Sequence, residues 1–175
     1  MPLQFFSKFI LLFFAVTVFP MSAEAVGTLA QSATRLTKDI VLYQVSYELG
    51  FKKYEVRAPI GAMRNLQVGS TSPYLGYTIL NDSETLTDIG KSAGLVLSGA
   101  TIDGADYIIP KGSAATFTLV TLLSLPEAIG EDLDLALQVT ALPFTMIGDT
   151  VTIDGHLNAS ELQYFITPEV DVDIR

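Results

Sequence analysis

From Ile40 onward the chain alternates. Val41, Tyr43, Val45 and Tyr47 fall on one side of an extended segment, which predicts a strand with a single buried face. A second segment sets Tyr54 and Val56 between Lys53, Glu55 and Arg57, the pattern of a half-exposed strand. Tyr74 to Leu80 and Gly94 to Ser98 read as further strands, with Asn81-Asp82-Ser83 as the turn after the first of these. Phe117, Leu119, Thr121 and Leu123 share a face, while Val120 and Leu122 fall on the opposite one, so this strand is expected to be covered on both sides over its later half. Leu135, Leu137, Val139 and Ala141 alternate with Asp134, Ala136, Gln138 and Thr140 in the clearest strand of the chain. Thr145 to Ile153 continues the set around Gly148-Asp149, and Val170, Val172 and Ile174 alternate with three acids at the end.

Turn residues separate these runs every eight to twelve positions, and no long 3.6-residue period appears. The segment from Ala58 to Pro73 is loop-like, with a short strand at Asn65 to Val68. Ser124-Leu125-Pro126-Glu127 has the form of a capping box and, with Gly130 as a stop, predicts one or two helical turns. Val26 to Lys38 is rich in small and polar residues, which predicts a flexible lead-in. Eight to ten strands follow it. The expected fold is an all-β, antiparallel, immunoglobulin-like sandwich over residues 39–175, with a jelly roll as the alternative.

Residues 1–25 change the picture of the whole. A positive start ending at Lys8, an eleven-residue apolar run from Phe9 to Phe19 and the small-residue exit Ala23-Glu24-Ala25 form a cleavable secretory signal. The run is about half the roughly 20 residues a membrane-spanning helix needs. Removing 25 of 175 residues leaves 150, enough for one core. The expected location is extracellular or in the cell envelope. With no cysteine, neither disulfides nor thiolate metal sites are available. The net charge is −9, and it is uneven: residues 26–65 hold six bases against three acids, residues 66–175 three against fifteen. That balance disfavours nucleic acid as a partner.

The stretch Tyr107 to Leu119, YIIPKGSAATFTL, places a Pro110-Lys111-Gly112 turn before an alternating Thr-rich strand. With the strand, turn and strand before it, from Tyr77 on, it resembles the immunoglobulin-like β-sandwich modules of secreted bacterial surface proteins. The resemblance covers about a third of the chain after the signal and implies a non-catalytic surface role.

Candidate chemistry is sparse. His156 is the single histidine, sits in a turn following a strand, and has no G-x-S-x-G element to accompany it. Glu127, Glu131, Asp132 and Asp134 are neighbours in sequence, whereas a hydrolytic pair must converge across a cleft. Asp103 and Asp106 around Gly104, and Asp149 with Asp154, put carboxylates in glycine-containing turns. These are either plain Asx turns or oxygen donors for calcium, the better cofactor candidate. Asn81-Asp82-Ser83 and Asn158-Ala159-Ser160 match the glycosylation pattern. Tryptophan is absent, so a sugar platform would fall to the tyrosines.

The expected function is a structural or adhesive one, exerted through the surface on envelope or extracellular proteins or glycans. A carbohydrate-binding module is the alternative, and an enzyme is not expected. Self-assembly enters through the ends: the net-positive lead-in of one molecule could add as a strand along the acidic closing edge, Glu169 to Ile174, of the next.

Overall fold

A computed structural model describes residues 25–67, 72–86, 89–126, 132–157 and 159–173; of the segment expected to be a signal, residues 1–24 lie outside them and Ala25 opens the first strand. In chain order the strands are β1 (Ala25–Arg35), β2 (Ile40–Gly50), β3 (Glu55–Pro59), β4 (Ala62–Arg64), β5 (Leu75–Asn81), β6 (Glu84–Leu86) and β7 (Lys91–Ser98). Then come β8 (Thr101–Asp103), β9 (Asp106–Ile109), β10 (Ala114–Ser124), β11 (Asp132–Ala141), β12 (Pro143–Ile147) and β13 (Thr152–His156). A single helical turn, α1 (Ala159–Leu162), precedes β14 (Val170–Asp173).

The strands form three sheets. The first has the order β1-β2-β10-β7, the second β13-β12-β3-β9-β8, and the third β14-β11-β5-β4, with β6 beside β5. Among the described residues every strand pairing is antiparallel except β4 with β5. The second and third sheets share chain: β11 passes into β12 through Leu142 alone, and β3 into β4 through Ile60 and Gly61. Both face the first sheet across one core. The expectation of an all-β antiparallel sandwich holds.

Alternation explains the core directly. Val41, Tyr43, Val45, Tyr47 and Leu49 of β2 are buried, as are Phe117, Leu119, Thr121 and Leu123 of β10. They meet Tyr77, Ile79, Leu135 and Leu137 from the third sheet and Val56, Tyr107 and Ile109 from the second. Tyr47 stacks on Phe117 at 5.4 Å between ring centres, and Tyr107 meets the same Phe117 edge-on at 5.6 Å. The tyrosine hydroxyls find partners: Tyr107 donates to the Val96 carbonyl at 3.0 Å and Tyr43 to that of Leu135 at 3.4 Å. Burial holds the phenols of Tyr43 and Tyr47 protonated well beyond the ordinary tyrosine range.

Three readings need correction. The segment expected to be a flexible lead-in is β1, paired along its whole length with β2 from Ala25↔Gly50 to Arg35↔Val41. Backbone pairing overrides the weak strand preference of Ala, Gly, Ser and Gln. The short strand expected at 65–68 lies earlier, at β4. Asn65 turns away with a φ of 61°, and Val68 lies outside the described residues. The face of β10 that carries Val120 and Leu122 is not covered: Leu122 is 47% exposed.

The turns match their residues. Asp82 and Ser83 adopt φ values of 46° and 71°, joining β5 to β6 in a two-residue hairpin. The Pro110-Lys111-Gly112 turn closes with the Ser113 amide donating to the Pro110 carbonyl at 3.0 Å. Of the expected helix after Ser124, residues 127–130 lie outside the described ones. The observed helical turn, α1, falls elsewhere. Among the described residues no helix is long and apolar enough to cross a membrane.

Candidate functional site

Two outward faces carry what chemistry the surface has. The first is on the second sheet, where side chains pointing away from the core line up across strands. Register places Arg57 of β3 beside Thr145 of β12, and Thr145 beside Asp154 of β13. Pro59 of β3 pairs with Asp106 of β9, and Pro143 of β12 with His156. Arg57, Asp106, Phe144, Asp154, His156 and Ser72 border a shallow hollow of about 370 Å³. Arg57 reaches Asp103 at 3.1 Å through Nη2, while its Nε faces Glu55 at 3.8 Å, too far for a hydrogen bond. Thr145 donates from Oγ1 to Asp154 at 2.9 Å. The floor depends on Gly155, because a Cβ there would stand 2.4 Å from the Phe144 ring, which lies across it.

The four carboxylates singled out for calcium are thus divided. Asp106 and Asp154 border one hollow, and Asp103 reaches it through Arg57. Asp149 stands apart in the β12–β13 turn, paired with Lys111 at 3.3 Å. Two of the four are therefore already matched by cations of the chain. Among the described residues no group of three or more His, Asp or Glu gathers where a metal could sit. His156 ends β13 instead of occupying a turn, and it is exposed. The tyrosines expected to offer a sugar platform go largely to the core: Tyr43, Tyr47, Tyr77 and Tyr107 are buried, leaving Tyr74 and Tyr164 exposed.

The second face is the outside of the first sheet. On β7, Ala93, Leu95 and Leu97 point outward. Cross-strand register sets them against Leu122, Val120 and Thr118 of β10, and Leu122 in turn against Leu42 of β2. Leu95 and Leu97 are each 48% exposed. The result is a continuous apolar strip. By contrast, the outside of the third sheet is closed: Thr78, Leu80, Ala136 and Thr140 are buried. Leu66 lies so close over β5 that a Cβ on Gly76 would come within 2.8 Å of it. Sequence alternation missed the leucine strip because an apolar residue on the second face of a strand reads as a buried one.

Comparison with protein-family models and with curated proteins finds no match.

Proposed function

We propose that this chain is a non-catalytic, immunoglobulin-like β-sandwich protein of the cell envelope or extracellular space, with a structural or adhesive role exerted through the leucine strip of the first sheet. The observation that carries the reading is the exposure of Leu95, Leu97 and Leu122 on one continuous face. Nearly half of each side chain meets water, and a partner that covers them recovers about 25 cal/mol for each Å² buried. The partner fitting this face is another envelope or extracellular protein with an apolar strip of its own. Export, expected from residues 1–25, places the chain where such partners are.

The test is fractionation after export. L95K/L122K should melt within a few degrees of wild type, since both positions face outward, yet move from the envelope fraction into the medium. Equal retention of the two proteins sinks the reading. A carbohydrate-binding role is the second reading, favoured by the hollow where Asp106, Asp154 and Arg57 offer the acceptors and donors that sugar hydroxyls take. D154A would then lose glycan-array signal that L95K/L122K keeps.

A further inference from the structure

β1 and β2 lie side by side in the same sheet, with eleven residues each, yet they are held differently. Every inward side chain of β2 from Val41 to Leu49 is buried in the core. Of β1's described inward side chains, only Ala33 packs against that core. Its other attachments across the sandwich are polar: Gln31 donates from Nε2 to the Tyr164 carbonyl at 3.0 Å, and Arg35 from Nη2 to the Asp173 carbonyl at 3.0 Å. Leu29 is skipped by an irregularity between Thr28 and Ala30 and stands 56% exposed, and Leu36 just beyond the strand is 52% exposed. Among the described residues no strand pairs with the far side of β1. It is an edge strand kept in place chiefly by its backbone bonds to one neighbour.

We propose that β1 is an exchangeable strand: in a pair of molecules, β1 of each copy leaves its own β2 and occupies the same place beside β2 of the other. Every attachment just described can be remade in the second copy, because the receiving groups, β2, Tyr164 and Asp173, are identical there. What is given up is confined to the connection, residues 36–39. In that turn the Leu36 amide donates to the Ile40 carbonyl at 2.8 Å, Thr37 donates from Oγ1 to Asp39 at 2.6 Å, and Arg35 donates to the Thr37 and Lys38 carbonyls. These bonds are local and solvent-exposed, and water can replace them. With the turn extended, β1 and β2 of one copy form a single long strand that runs antiparallel to the same strand of its mate. That is a closed, two-fold arrangement needing no new interface, so protein concentration decides between the two forms. β2 cannot do the same without exposing five core residues.

The inference differs from the expectation that the N-terminal segment adds to the acidic closing edge of a neighbour, because it returns the strand to the equivalent place beside β2. The structure puts β1 next to that edge within its own molecule, with Arg35 on the Asp173 carbonyl. It also stands apart from the leucine strip, which β1 exchange does not use.

The lack of native cysteine makes the test direct. Ser32 and Gln44 are opposed in register and their side chains approach to 3.3 Å on the exposed side of the pair. Full-length S32C and full-length Q44C are mixed, incubated and oxidised, and the products are mapped by peptide mass spectrometry. Neither chain alone can form a 32–44 disulfide. The expected result is a 32–44 link between chains whose fraction rises with concentration. Its absence overturns the proposal when the single-chain double variant S32C/Q44C, treated in parallel, closes on itself. A second readout is independent of disulfide geometry: a dye-labelled peptide of residues 25–35 is retained by the wild-type chain if β1 vacates its place, and no retention at any concentration overturns the proposal. Adding L95K/L122K to both mixed chains should leave the link intact. Loss of the link in that background means that the copies meet through the leucine strip, and strand exchange is discarded.

Discussion

β2 and β1 share one backbone ladder, to which β2 adds a second with β10, and their side chains contribute to the fold differently. The first is both a ladder and an anchor, with the Tyr47 ring stacked on Phe117 and tilted against Phe165 at 6.0 Å. The second is a ladder to which its described side chains add only the packing of Ala33 and the polar bonds of Gln31 and Arg35. The difference shows that hydrogen-bonded pairing places a strand, whereas side-chain burial decides what it costs to remove it. The inner faces of β2 and β10 lie in a core that the second and third sheets complete, and β1 lies at the edge of the first sheet.

The largest effect that separates the two strands comes from the anchor. Y47A should lower stability by about 3–5 kcal/mol, read as a fall in the urea midpoint with the m-value unchanged. On β1 the change to set beside it is Q31A, which removes one donor to a backbone carbonyl and should cost about 0.5–1.5 kcal/mol. If Q31A costs as much as Y47A, β1 is an anchor after all and the contrast collapses. The smallest effect concerns the turn between the strands. Asp39 accepts a hydrogen bond from Thr37, which holds its carboxyl below the ordinary 3.8. A lowered folded-state value means that the contribution is present above pH 3.8 and is lost as pH falls through the lower folded value. Acid should therefore loosen the β1–β2 turn before it disturbs the core. Amide exchange of Leu36 to Ile40 measured against that of Val45 would show it, and T37A should abolish the pH dependence.

How much of this was legible in the sequence follows from the same contrast. The inner faces of β2, β10 and β11 were readable because large apolar residues recur at a period of two, and nothing else satisfies that pattern so well. β1 was not, since three of its inward positions carry Gln31, Ala33 and Arg35, residues that signal neither a strand nor burial. The outer face of β10 misled in the other direction: Val120 and Leu122 carry the hydropathy of covered positions and lie against solvent. The hollow on the second sheet was invisible for a topological reason. Arg57, Asp106 and Asp154 come together only because β3, β9, β12 and β13 are neighbours, an order that residue spacing does not encode. The turns around Gly104 and Gly148 were placed well, whereas spacing did not show that Asp106 and Asp154 share a hollow from which Asp149 stands apart.

The path of β1 also bears on force. Ala25 and Arg35 mark its two ends, roughly 33 Å apart at about 3.3 Å per residue, and Arg35 touches Asp173 at the close of β14. A load applied between residues 25 and 173 therefore runs along β1 and not across it. In that geometry the β1–β2 bonds are sheared together, whereas a pull at right angles would peel them one after another. An edge strand with little described burial is thus oriented so that tension from its N-terminal end meets the whole ladder at once.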